Sequence, residues 1–473
     1  TLPARAAGCY LRDRLRRPAH PAGRIHSRDG PVIQTTLERI ARWLLAPLWA
    51  AEVARIGWPG LPIEQALLSA LALYLPIAFV LARPGTRFLS GGLAAAAVLA
   101  ALFGGSLGDL RSGFERALIF TAFIPTLAWL RAGAERSPAV AASRELFLGM
   151  PGRAREAGLQ VGAHLLGAVI TAGVFGLFAP LLGPGRPLDE RAAAAQATVR
   201  GMCLAVLWSP CFVGMAVASR LIPEVALWQA IPVGLAFAVV ALLLADLLFG
   251  LRRPGHLLRA AAGFRPILVP LALGAAAVLL LSALTPLSSL EAVLIALPPL
   301  GLAWLMIHEP GDLRPALAQT FTRLGRMGDD LLIVVVAMAL ASVLAGNTAI
   351  ADALDDVARL ALPAPAILAG TFTAMLALSF LGLHPMVSIS VLIPLVHGLP
   401  GEPVAPLVLM ILALAGWSLG TINSPSSLSI VLASTSFRVP LKHLLLGNNL
   451  AFVLAQGALT VLLLSLLNRA LAG

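Results

Sequence analysis

Charge is what this sequence lacks most. Asp, Glu, Lys and Arg together make up only 12% of 473 residues, too few to give a soluble domain of this size a hydrated surface. Tyrosine occurs twice and cysteine three times, at Cys9, Cys203 and Cys211. Three cysteines at that spacing exclude a disulfide framework and a cysteine-based metal site, and the apolar settings of Cys203 and Cys211 predict inert small hydrophobes. Acidic residues number 23 against 34 basic ones, but the arginines fall between apolar segments and form no single basic face. That distribution argues against a nucleic-acid partner and for a record of membrane topology. Nothing alternates with a period of two over membrane-length stretches, which argues against a membrane barrel.

What is present is apolar sequence: 59% hydrophobic residues and a mean hydropathy of +0.89. Most runs are close to the ~20 residues that an α-helix needs to cross a bilayer. The fold expected is an all-α polytopic membrane protein with lipid around it. Residues 1–30 are rich in Arg, Pro, Gly and His without periodicity, which predicts a disordered basic tail and not a signal peptide.

Spanning helices are expected near 40–57, 61–82, 88–107, 114–130, 201–222, 225–249, 266–285, 289–307, 331–346, 403–433 and 441–467. Residues 137–156 and 347–361 read as amphipathic helices on the membrane surface, the second carrying Asp352, Asp355 and Asp356 on its solvated side. Two apolar segments, 158–182 and 364–396, are interrupted in the middle, and 183–200 with Asp189, Glu190 and Arg191 reads as a polar loop. The parts then divide into a tail (1–38), N-terminal scaffold helices (39–112), a first repeat (113–250), a linker with further scaffold helices (251–328) and a second repeat (329–473).

At an offset of 215 residues Ser209-Pro210 falls on Ser424-Pro425, Ala218-Ser219 on Ala433-Ser434 and Arg144 on Arg359. The order of elements recurs too: helix, surface helix, interrupted segment, broken helix, helix. If both interrupted segments are re-entrant hairpins, eleven spans remain and most basic residues, including the segment 186–200, fall on the cytoplasmic side. The N-terminus is then cytoplasmic, the C-terminus periplasmic, and the repeats inverted, an arrangement that places a site between interrupted elements at the midplane.

The candidate site follows from backbone that a helix cannot continue. Thr421-Ile-Asn423-Ser424-Pro425-Ser426-Ser427 interrupts an apolar run, and proline in a helix interior costs roughly 3 kcal/mol. Irregular backbone at membrane depth is tolerated where it is buried in protein or lines a watery cavity. Asn423, Ser424, Ser426 and Ser427 supply oxygens and donors there, or else merely satisfy the kinked chain. The matching break, Trp208-Ser209-Pro210-Cys211, is poorer in polar groups. His384 is placed to bind a carboxylate or carry a proton, with an interior structural histidine the other reading. Gly416-Trp417-Ser418-Leu419-Gly420 matches a hydrolase string, but on an apolar helix it lacks the required strand-to-helix turn, so no catalytic residue is expected. No metal site is expected either.

GLHPMVSISVLIPLV (382–396) together with GTINSPSSLSIVLASTSFRVP (420–440) resembles the second repeat of the ion transporter superfamily, closest to the large membrane subunit of TRAP transporters, with the divalent anion:sodium symporters similar in architecture. The resemblance implies eleven spans, two opposed hairpins, an elevator motion, and a substrate held by Thr171, Ser209, Pro210, His384, Pro385, Ser388, Asn423, Ser424, Pro425, Ser426 and Ser427. It implies no cofactor beyond sodium as a coupling ion, with Thr421, Asn423 and His384 as the coupling residues. It departs from the symporter pattern in lacking their Ser-Asn-Thr tips, and the first hairpin offers only Thr171. The function expected is secondary transport of a small anionic solute across the inner membrane, coupled to sodium or protons, in what is commonly a homodimer. Alternatives are a TRAP-type permease that requires a small membrane subunit and a periplasmic binding protein, a non-transporting scaffold, and, least favoured, an intramembrane enzyme.

Overall fold

A computed structural model describes residues 30–148, 153–179, 185–249, 265–400 and 404–472, and among them there are helices and no strands. The first group is α1 (Gly30–Gly57), α2 (Glu64–Leu81), α3 (Pro84–Leu102), α4 (Leu107–Ala117) and α5 (Phe120–Ala134). Ser106 starts α4 with a capping box: its hydroxyl accepts from the Asp109 amide at 3.1 Å, and the Asp109 carboxylate accepts from the Ser106 amide at 2.8 Å. The next group runs α6 (Pro138–Leu148), α7 (Arg153–Ile170), α8 (Gly173–Phe178), α9 (Leu188–Leu204), α10 (Val213–Leu221) and α11 (Leu227–Phe249). Three connecting helices follow, α12 (Arg265–Leu284), α13 (Ser289–His308) and α14 (Leu313–Leu324). The last group is α15 (Gly328–Gly346), α16 (Thr348–Arg359), α17 (Ala364–Phe380), α18 (Pro385–His397), α19 (Pro406–Asn423), α20 (Leu428–Phe437), α21 (Leu441–Leu445) and α22 (Asn448–Ala472).

Nine helices or helix pairs among the described residues are long and apolar enough to cross a membrane: α2, α3, α4–α5, α11, α12, α13, α15, α19–α20 and α21–α22. Of the eleven spans expected, the two outside that set are α1, which carries Glu38, Arg39, Arg42, Glu52 and Arg55, and α9–α10. Several boundaries differ from the expectation. Helix α1 begins at Gly30, inside the stretch read as tail, while residues 1–29 and the basic loop 250–264 lie outside the described residues. Asp189, Glu190 and Arg191 are not a loop but the first turn of α9, where two carboxylates suit a helix N-terminus. Arg153 and Arg155 open α7 and do not belong to a surface helix.

Helix α19 is the centre of the molecule: 94% of the best apolar window in Pro406–Phe437 is buried, against 11% for α12, whose sides are left to lipid. Around α19 the chain packs in two sets. Helix α7 lies on α9 and α17 lies on α19, and the second halves of the broken helices are exchanged: α10 packs on α18 and α19, and α20 packs on α8 and α9. Outside this core, α15 packs on α3 and α4, and α13 and α14 pack on α5.

Two glycines let the paired helices approach. A Cβ on Gly201 would lie 2.0 Å from the Gln160 carbonyl oxygen, and one on Gly416 would lie 2.4 Å from Met375 Sδ. Both members of the first pair precede those of the second by 215 residues. The same interval separates the partners where α9 meets α19, since Ser418 Oγ donates to the Cys203 carbonyl at 2.8 Å.

Candidate functional site

Each interrupted segment folds as two helices joined by a tight turn, and each broken helix has its gap beside one of those turns. In the first pair the turn is Thr171-Ala172. Thr171 takes a left-handed φ of 48°, and its hydroxyl accepts a hydrogen bond from the Arg131 guanidinium at the end of α5. The gap runs over 208–212. Buried Ser209 fastens the two parts together: its hydroxyl donates to the Ala168 carbonyl at 2.5 Å and accepts from the Cys211 amide at 3.2 Å. Pro210 and Ser209 line an apolar cavity of about 320 Å³ that also touches Trp129, Trp208, Trp228 and Trp304.

The second pair is more polar. Residues 381–384 form the turn, with Gly382 at φ 99°, and a Cβ there would sit 3.8 Å from Pro425 Cγ of the second gap. His384 caps α18: its Nδ1 accepts from the Met386 amide at 3.2 Å, and the ring stands edge-on to Trp417 at 5.8 Å. With Nδ1 an acceptor, the proton of the neutral ring is on Nε2. Pro385 packs towards Gly420 of α19. Asn423, the last residue of α19, donates through Nδ2 to the Leu445 carbonyl at 3.2 Å, while its Oδ1 is buried without a partner among the described residues. Ser424 and Ser426 pair hydroxyl to hydroxyl at 2.9 Å, and the Ser427 amide closes the turn on the Ser424 carbonyl at 3.1 Å. Pro425 and Ser426 are exposed, whereas Ser424 and Ser427 are buried.

Two of the expected site residues are tied into their own backbone. Ser388 Oγ donates to the Pro385 carbonyl at 2.9 Å, and Thr421 Oγ1 donates to the Trp417 carbonyl at 2.7 Å, one turn back in α19. His384, Pro385, Asn423, Ser424, Pro425, Ser426 and Ser427 are brought together at the second gap. Ser209 and Pro210 meet the first hairpin at the first gap, and Thr171 is held by Arg131 on α5. Trp417 links the two pairs. Its ring faces His384 on one side, and on the other it abuts Gly214 in the first turn of α10, where a Cβ would be 2.9 Å from Trp417 Cδ2.

Sequence reasoning missed several polar groups. Trp208 Nε1 donates to His164 Nε2 at 3.1 Å, and His164 Nδ1 lies 3.2 Å from the Gly201 carbonyl, so the proton is on Nδ1 and the ring is neutral with a fixed tautomer. Ser379 Oγ is buried without a partner and lies 2.6 Å from where a Cβ on Gly420 would be. Gln196 Nε2 donates to the His443 carbonyl at 2.5 Å. The available signal was that His164 and Ser379 each interrupt an apolar helix.

No protein-family profile matches the chain, and no curated protein matches it in sequence. The crystal structure of the Alcanivorax borkumensis YdaH transporter, described as having an unusual topology, is similar in fold, with a TM-score of 0.52. It covers 81% of this chain and 98% of its own at 16% identity. The chain therefore shares its arrangement of helices with a membrane transporter. At that identity the likeness reaches the arrangement of helices and not the chemistry of the site. The resemblance to TRAP subunits and anion symporters rests on the sequence motifs alone.

Proposed function

We propose that the chain is a secondary transporter that carries a small organic anion across the inner membrane, with the solute held between the hairpin turns and the helix gaps and with sodium or protons as the coupling ion. The observation that carries this reading is the second gap. There a non-helical stretch inside a buried helix presents Asn423 Oδ1, without a partner among the described residues, between the ends of α19 and α20, and His384 caps the adjoining α18. Half-helix ends carry partial charges suited to ions, and irregular backbone in a membrane bundle belongs to a solute path.

An inverted repeat and an elevator motion agree with a difference in height between the two hairpins. The first hairpin turn meets α5 at Arg131, close to that helix's end, while Leu383 and Val387 of the second pack with Val336 and Leu340, midway along α15. An offset of 215 pairs Arg131 with Gly346 and Val336 with Thr121. The first hairpin is thus held near the end of its scaffold helix and the second along the length of its own. A core that slides between two positions produces that difference at either end of its travel.

The test is uptake into proteoliposomes. Asn423→Ala and Ser424→Ala should each reduce uptake at least tenfold while the purified variants keep wild-type helicity and elution. Wild-type uptake by both variants refutes the site.

A further inference from the structure

Among the described residues two charged side chains are more than nine-tenths buried, Glu52 and Arg200. Glu52 is neutralised by Arg55, which binds both its carboxylate oxygens at 2.8 Å. Arg200, 5% exposed, has no carboxylate within ion-pair distance among the described residues; the acid whose charge reaches it, Glu156, lies one turn before Gln160 on α7 and beyond that distance. Leaving a buried charge uncompensated costs several kcal/mol, so such a cation calls for a counter-ion.

Its surroundings are built from donors. Four helices converge on the guanidinium. Nε donates to Gln160 Oε1 of α7 at 3.2 Å, Nη1 donates to Asn449 Oδ1 at the start of α22 at 2.9 Å, and the group lies 4.4 Å over the Phe249 ring at the end of α11. Because both amides turn their oxygens to the cation, each NH₂ is geminal to an oxygen that touches it. Gln160 Nε2 and Asn449 Nδ2 are both buried with no acceptor among the described residues. The first turn of a 25-residue helix adds unpaired N–H groups and the positive end of a dipole beside Asn449. Two buried amide donors without acceptors among the described residues, flanking a buried cation, define a site for an anion.

We propose that Arg200, Gln160 and Asn449 bind the carboxylate of the transported solute, a planar group that matches the guanidinium fork. This deepens the anion-transport reading and rests on it. Gly201, the next residue, is the contact point with Gln160 and accepts from His164, and the corner that Asn449 opens is held by Asn423 through Leu445. The carboxylate site therefore lies within the same packed core as both gaps.

The experiment is thermal unfolding of the purified full chain in detergent, titrated with sodium acetate against sodium chloride at matched ionic strength. Acetate should raise the wild-type melting temperature saturably and chloride should not. Arg200→Met should fold and lose the response, and Arg200→Lys, which keeps the charge without the fork, should weaken apparent affinity about tenfold. Should Arg200→Met fail to fold, Asn449→Leu, which removes one donor, should weaken it about tenfold. An acetate response that persists in Arg200→Met or is unchanged in Asn449→Leu, or an equal response to chloride, overturns the site. Carboxylate uptake by wild-type proteoliposomes separates the two claims. Binding without uptake sinks the transport reading and leaves the site, and uptake undiminished in Arg200→Met sinks the site alone.

Discussion

Asn423 is the residue on which the second gap turns, because one half of its amide is spent and the other is not. Its Nδ2 anchors the corner at Leu445, and its buried Oδ1 stays available for a donor or a cation. Asn423→Asp keeps the acceptor, loses the anchoring donor and adds a negative charge, so uptake of an anion should fall more steeply than in Asn423→Ala, as initial rates in proteoliposomes will show. The Trp208–His164 bond offers a stability test at the first gap. Trp208→Phe leaves His164 Nε2 buried without its donor and should cost about 1–3 kcal/mol, read as a lowered melting temperature. Asn423 and His384 were legible in the sequence because a polar residue beside a proline in an apolar run has few structural reasons to be there. Arg200 was not. It lies at the end of LDERAAAAQATVR, which reads as a cytoplasmic loop by composition, because hydropathy measures fitness for lipid and α9 is shielded from lipid by protein.

Among the elements, the hairpins and the gaps were the most legible, since glycine, proline and small polar residues punctuate helices for covalent reasons. Boundaries of helices buried in the core were the least: α9 begins at Leu188 where a loop was expected, and α14, packed on α1 and α5, fell within the stretch read as linker and scaffold helices. The glycine crossings make a quantitative contrast. Gly201→Ala drives a methyl group into backbone at the Gln160 carbonyl, whereas Gly416→Ala meets the flexible end of Met375. Overpacking costs typically about 1–3 kcal/mol, so Gly201→Ala should fall at or above the top of that range and Gly416→Ala near its bottom. Equal melting temperatures for the two variants count against this account of helix packing.

At the scale of the whole molecule, the account predicts two positions of the core against its scaffold. A cysteine pair replacing Arg131 and Thr171, a gap that the arginine side chain spans, should be bridged by a disulfide-containing thiol cross-linker in the state described here, stopping uptake until reduced. A pair replacing Thr121 and Thr171 should be bridged by the same reagent only when the core moves along α5. Failure of the second pair under every solute and gradient condition means that the hairpin does not slide. The overall architecture was legible because nine apolar helices cannot be hidden in a sequence, and the likeness to the YdaH transporter adds the arrangement that composition does not carry. The most direct test of the central claim is accumulation of a panel of labelled carboxylates by proteoliposomes under imposed sodium or pH gradients. The account predicts gradient-driven accumulation of at least one small carboxylate above the level of empty liposomes, abolished in Asn423→Ala. No accumulation of any carboxylate under either gradient contradicts it.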